Sequence, residues 1–229
     1  MLAVVTGLTG CSGPAGPFGI STRPAEIAVE VAVAGPRPRC VVPKSVTKAR
    51  PRQVLVVKAH TTSATVSACT RSKGRYVRTL GPFAARIGTH GLAKRGAKRE
   101  GDGRTPTGVF ALGSGFGSKG NPGLSTTGFD WFTAGRSDVW VDDPGSKLYN
   151  THQKSAAQGR WRSAERLRIR PYRYAQVIVY NEKRIAGRGS AIFLHVGTGG
   201  PTAGCVSLSS AHLRAVMKWE DTGAVIAIS

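Results

Sequence analysis

From residue 53 onward the chain is written in short apolar runs rich in Val and Ile, each closed by turn-forming residues. Runs of this length, β-branched and punctuated by Gly, Pro, Asn or Ser, are strands rather than helices. QVLVVKA (53–59), TVSAC (65–69), RYVRTL (75–80), TGVFAL (107–112), DVWV (138–141), QVIVYN (176–181), AIFLHV (191–196) and AVIAI (224–228) read this way. RSKG, 71–74, has the residues of a hairpin turn. Helical patterning is scarce. SSAHLRAVMKW, 209–219, offers a Ser cap and places Leu213, Val216 and Met217 on one face. SAERLRI, 163–169, is a second, shorter candidate. The expected fold is mainly β, a β-rich α+β domain with few short helices, and strand-rich chains of this size close into sandwiches or barrels.

Ahead of that domain the composition changes. Residues 12–52 are rich in Pro, Gly, Ala and Arg, and GPAGP and GPRPR sustain neither helix nor central strand. They read as a linker, with IAVEVAVA (27–34) as a strand candidate inside it. Residues 1–11 end in Leu8-Thr9-Gly10-Cys11, the pattern of a bacterial lipobox, in which the cysteine carries the lipid. The stretch reads as a remnant export signal, although it lacks a basic n-region. No apolar run approaches the ~18 residues that span a bilayer. The expected division is therefore 1–11 signal, 12–52 linker and 53–229 folded domain.

The 229 residues hold 33 Lys and Arg against 12 Asp and Glu, a net charge of +21. Such a field draws anionic partners. The basic residues are spread along the chain, and no RNP, helix-turn-helix or zinc-finger pattern accompanies them, so no specific nucleic-acid partner is expected. Anionic cell-wall polymers fit the charge equally well. Of the four cysteines none forms a C-x-x-C pair, which argues against structural zinc. In an exported protein Cys40 could bridge Cys69, leaving Cys205 unpaired; spacing alone does not choose the pairing.

Three stretches invite chemistry. GFGSKG, 115–120, matches a dinucleotide-binding glycine pattern, but Asn121-Pro122-Gly123 follows where a helix is required, so it reads as a loop. REGDGRTPTGVF, 99–110, is a turn leading into a strand, with Asp102 and Arg104 as a candidate structural pair. HVGTGGPTAGCVS, 195–207, runs from the end of one strand to the start of the best helical segment. A cysteine needs a depressed pKa or a base to act as a nucleophile. His195 is a candidate base for Cys205, and the helix that follows supplies positive potential. Gly199, Gly200 and Gly204 would let a substrate approach the backbone, with amides near Gly204 as oxyanion donors. Taken alone, the same cysteine reads more readily as a small buried hydrophobe than as half of a catalytic pair. His212 is a rival base, better suited to a capping or surface role. His60, His90 and His152 have no partner nearby in sequence. The long segment 113–175, rich in Gly, Ser, Arg and aromatics, reads as a cover or binding loop.

Together, GDGRTPTGVF and FLHVGTGGPTAGCVSL resemble the L,D-transpeptidase catalytic domain, the YkuD domain, over residues 53–229. The resemblance is nearest to secreted actinobacterial members with a long middle insertion. It implies an L,D-transpeptidase-like β-sandwich or barrel and an exported enzyme acting on peptidoglycan. Cys205 would attack a tetrapeptide stem at the carbonyl of its third residue, a diamino acid. His195 would take the thiol proton, and a thioester would pass to an amine. Hydrolysis would make the chain an L,D-carboxypeptidase instead, and loss of turnover would leave a wall-binding protein. The resemblance implies no metal or organic cofactor. Thr202, Ser207 and Arg104 are candidate substrate contacts, and Cys11 a candidate lipid anchor. Ala203 and Ser207 depart from the family's usual residues, Thr202 standing where it can substitute for the hydroxyl that Ala203 lacks.

Overall fold

At Lys73 and Gly74 the backbone turns with φ of 46° and 78°. Two successive left-handed residues give the turn whose twist matches that of the strands it joins. The hairpin so formed links β2 (Ser63–Ser72) to β3 (Arg75–Arg86), and β2 also pairs antiparallel with β1 (Gln53–His60). The β2–β3 ladder slips between Val66 and Cys69, opposite Gly81-Pro82. A Cβ on Gly81 would lie 2.5 Å from the Val66 carbonyl, so only glycine lets the two strands cross there. Beyond the slip, β3 ends at Arg86, two residues before Gly88, which bridges to Thr202.

A computed structural model describes residues 38–154 and 156–229. After β3 come β4 (Gly108–Gly117), β5 (Trp131–Thr133), β6 (Asp138–Val141), β7 (His152–Lys154), β8 (Ala164–Arg166) and β9 (Ala175–Ile178). They are followed by β10 (Phe193–Val196), β11 (Val206–Leu208) and β12 (Val225–Ile228). In the main sheet the order β12-β1-β2-β3-β11-β10-β9-β4 closes on itself through a β12–β4 pairing, giving an eight-stranded barrel. β5 adds to the far half of β4. Closure removes free edges from these strands. The mainly β architecture expected from the sequence is the one observed.

Among the described residues two α-helices accompany the strands, α1 (Lys44–Ala49) and α2 (Ser210–Trp219). The Ser209 side chain caps α2 by accepting from the His212 amide, and Leu213, Val216 and Met217 enter the barrel core with Leu55, Val57, Val66 and Ile226. Helix α1 lies within the segment assigned to a linker. There Cys40 is bridged to Cys69 of β2, and Val46 packs with Val54, Val56 and Tyr76. Residues 38–52 are thus tied to the barrel wall. The expectations for Cys11 and for the strand at 27–34 fall outside the described residues. The helix expected within 163–169 is instead strand β8, pairing with β6. The Leu167 side chain that follows it is fully buried in a second core, and that packing overrides a weak local preference.

Most of the middle segment forms this second layer. The small sheet β7-β6-β8 borders a core of Phe116, Leu167, Tyr172, Ala191, Phe193 and Cys205, with Trp140 packed against it. Strand β10 runs between the two cores. Its alternation sends Leu194 and Val196 into the barrel and Phe193 into the second core, with His195 on the same side as Phe193. Strand β11 lies parallel to β10 with Ser207 opposite His195, while Val206 and Leu208 enter the barrel core. The cleft forms where these two polar residues interrupt the apolar faces.

Candidate functional site

The two motifs read from the sequence meet at Thr105. Its side chain is fully buried, accepts the Gly88 amide at 2.9 Å and donates to the Cys205 carbonyl at 3.2 Å. Thr202 donates to the same carbonyl at 2.7 Å and accepts the Gly204 amide at 3.1 Å. These hydroxyls hold the loop 197–205 against the TPTG segment. The Gly204 amide, a candidate oxyanion donor, is therefore already engaged.

A cleft of about 520 Å³ opens beside this loop, bordered by His195, Gly200, Thr202, Gly204, Cys205 and Ser207. Six of the expected site residues thus share one cavity. Gly199 lies instead on a separate groove with Phe83 and Arg86. Arg104 is directed elsewhere: its guanidinium donates to the carbonyls of His90 and Leu92 at 2.7 and 3.0 Å. It does not pair with Asp102, whose carboxylate binds Lys98 at 2.6 Å and accepts the amides of Arg99 and Arg104. The remaining histidines lie outside the cleft. His212 stacks on Phe83, His152 binds Asp138, and His90 contacts the Asp102 carbonyl.

The chemistry of Cys205 differs from the expectation. Its side chain is 6% exposed and belongs to the second apolar core. The thiol donates to the Ala191 carbonyl and accepts the Phe193 amide, each at 3.3 Å, and the Tyr172 hydroxyl also reaches it. None of these partners is His195. Burial, reinforced by the negative charge of Glu165, pushes the thiol up to about 12. At neutral pH the thiolate is then about one part in 10⁵. An ordinary thiol near ~8.5 is roughly a thousandfold richer in the reactive form. His195 donates its Nδ1–H to the Val196 carbonyl at 2.9 Å and stands edge-on to Tyr172. Burial lowers its pKa, so the ring is neutral with Nε2 as the acceptor.

These findings correct the expected enzyme. Among the described residues no cysteine is both free and positioned as a nucleophile: Cys40 and Cys69 are bridged, and Cys205 is unbridged but buried as a protonated thiol. The transferase reading, with a cysteine nucleophile served by His195, is not supported by this arrangement.

Residues that the sequence reading passed over complete the cleft. Glu100, Asp142, Glu165 and Tyr172 line it. Tyr172 donates to Glu165 Oε1 at 2.5 Å, and Glu100 Oε2 accepts from Tyr149 and, at 2.7 Å, from Ser190. Burial, with a smaller contribution from Asp142 and Glu100, raises Glu165 to about 6 despite the Tyr172 hydrogen bond. Their one signal in the sequence is the scarcity of acids in so basic a chain.

A closed β-barrel with a His-bearing strand, a Gly-rich loop and a Gly-Cys element leading into the next strand defines the class of domain to which this chain belongs. Residues 52–228 match the L,D-transpeptidase catalytic domain family, YkuD, and the chain belongs to that family. Domains of this family associate with peptidoglycan. No curated protein matches the chain. Among solved structures it is similar to the helical cell shape determining protein Pgp2 from Campylobacter jejuni, at 14% identity and a TM-score of 0.40. That match covers 78% of this chain and 48% of the other, so the chain spans about half the length of the solved relative.

Proposed function

We propose that the chain is a peptidoglycan-binding protein on the YkuD scaffold, holding a stem peptide in its cleft without forming a covalent intermediate. The observation that carries this reading is the state of Cys205, protonated and hydrogen-bonded into an apolar core at the edge of the cleft. The cavity volume suits a few residues of extended peptide. Ser207 and the neutral His195 offer hydrogen-bonding groups to it.

Export belongs to the same proposal. The Cys40–Cys69 bridge supports an oxidising compartment. The Leu8-Thr9-Gly10-Cys11 pattern supports a lipid anchor at Cys11, and the net charge of +21 supports contact with anionic wall polymers. The inserted β7-β6-β8 sheet fits the secreted, actinobacterial type with a long middle segment.

The test is to incubate the full chain with a tetrapeptide stem and, separately, with a carbapenem. Calorimetry follows binding, and intact mass and chromatography follow reaction. Stem binding is expected with unchanged protein mass and intact tetrapeptide. A covalent adduct on Cys205, or release of the terminal D-alanine, would overturn the reading.

A further inference from the structure

Away from the cleft, three separate stretches bring arginines to one hollow. Arg39 pairs with Val77 of β3, Arg50 closes α1, and Arg71 and Arg75 flank the β2–β3 turn. All four are exposed and border a hollow of about 490 Å³, with Cys40, Val41 and Val42 beside them. Cys40 is held there by its bridge to Cys69 and by its amide, which donates to the Tyr76 carbonyl at 2.9 Å. The arginines therefore stand on a cross-linked frame.

No acid answers them. The wall of the hollow has no Asp or Glu, and residues 31–99 contain none. Among the described residues none of these four arginines makes an ion pair, whereas Arg52 pairs with Asp221. Uncompensated like charges repel, and an anionic partner relieves the repulsion. Guanidinium groups are weakly hydrated and meet phosphate oxygens with two parallel N–H bonds.

An apolar group stands among these charges. Val41 is 73% exposed, the most exposed large apolar side chain among the described residues. A hydrated polyanion gains nothing from an exposed valine. A bilayer surface offers phosphates to the arginines and an apolar boundary to Val41. The chain also links this surface to the proposed anchor. A span of about 28 residues, as between Cys11 and Arg39, reaches no further than ~100 Å. A lipid at Cys11 would make contact between the patch and the bilayer intramolecular, and so raise its effective concentration.

We infer that Arg39, Arg50, Arg71, Arg75 and Val41 form a docking surface for anionic phospholipid, by which the domain lies against the outer face of the membrane. This deepens the export reading and rests on it for the side of the membrane and for the tether.

The experiment is co-sedimentation of the full chain carrying Cys11→Ser, which takes no lipid. The vesicles are phosphatidylcholine alone, or phosphatidylcholine and phosphatidylglycerol in about equal parts. Binding is expected to the anionic vesicles only and to fall steeply with added salt. Arg71→Gln with Arg75→Gln is expected to weaken it about 20-fold or more, at about fivefold per arginine. Lys94→Gln with Lys183→Gln removes the same charge from a separate groove beside Phe110 and Tyr180, and is expected to change binding by less than about threefold. Val41→Ser is expected to weaken vesicle binding about threefold and to leave binding to poly(glycerol phosphate) unchanged. Circular dichroism checks that each variant folds. No binding to anionic vesicles, or an equal loss in the two double variants, would overturn the docking surface. Poly(glycerol phosphate) bound as tightly as vesicles, with no effect of Val41→Ser on either, would overturn it in favour of a wall polymer. Lipidation is read separately, from the mass of the protein released by cells that export it. An unmodified Cys11 there ends the tether alone, and the vesicles still decide the patch.

Discussion

Glu220 should make this protein less stable as the pH rises from 5 to 8, and Glu220→Gln should remove the effect. Glu220 follows α2 and is fully buried. Its two oxygens have no hydrogen-bond partner by geometry, although Gln176, also fully buried with an unpartnered Oε1, lies close enough to affect the carboxyl. Burial raises its pKa from the ordinary 4.5 to about 8, and the nearby Gln176 amide only partly opposes this. The unfolded chain loses this proton above about 4.5, whereas the folded protein keeps it to about 8. Folded protein therefore binds the extra proton between those values, and its stability falls as pH rises through them. The stabilisation is complete below 4.5 and exhausted above 8. At ~1.4 kcal/mol per pH unit the whole fall is on the order of 5 kcal/mol, of which roughly 3 kcal/mol is spent by pH 7.

Urea denaturation followed by tryptophan fluorescence, repeated from pH 4 to 9, measures this directly. Other groups titrate in the same range. Glu165, raised to about 6, also lowers stability as pH rises, whereas His195, with its pKa lowered by burial, raises it. The difference between wild type and Glu220→Gln removes both contributions, since neither residue shares a hydrogen bond with Glu220. Glutamine keeps the shape and can donate to Gln176 Oε1. The variant should match the wild type at pH 4.5 and exceed it increasingly up to pH 8. Parallel stability curves would refute the reasoning and would mean that water or a partner satisfies the carboxylate.

Two further outcomes follow from the same contacts. Breaking the Cys40–Cys69 bridge by Cys40→Ser frees a loop of sequence separation 29 and should cost about 3–4 kcal/mol in urea denaturation, with the wild type falling to match it under reducing conditions. Thr105→Val removes the hydroxyl between the Gly88 amide and the Cys205 carbonyl; a loss of about 1–3 kcal/mol is expected, together with weaker stem-peptide binding by calorimetry.

Most of the barrel was legible because its longer strands carry their own evidence, whereas β11 (Val206–Leu208) went unread. β1, the β2–β3 hairpin and β12 announce themselves by β-branched runs and turn residues, and α2 by its cap and three-residue apolar face. The elements that stayed hidden are those whose stability comes from elsewhere in the chain. β8 has three residues, and its conformation is set by pairing with β6 and by the burial of Leu167 next to it. Helix α1 follows Pro43 in a segment whose composition suggests a linker, and it is held by a disulfide partner on β2 that spacing could not identify.

The site divides in the same way. His195, Thr202, Gly204, Cys205 and Ser207 lie on one contiguous stretch, so their candidacy for one site was legible before any fold was known. What that convergence does depends on groups far away in sequence. The Ala191 carbonyl, the Phe193 amide and the second apolar core hold Cys205 as a protonated thiol, and no motif records that burial. The acidic wall is still less local, since Glu100, Asp142 and Glu165 meet only when the inserted sheet folds over the barrel strand that bears His195. The motif thus specifies a scaffold and a cleft, whereas the insertion sets the charge of that cleft. In a chain of this basicity, three of twelve acids converging on one cavity is the feature that separates its chemistry from what the motif alone would predict.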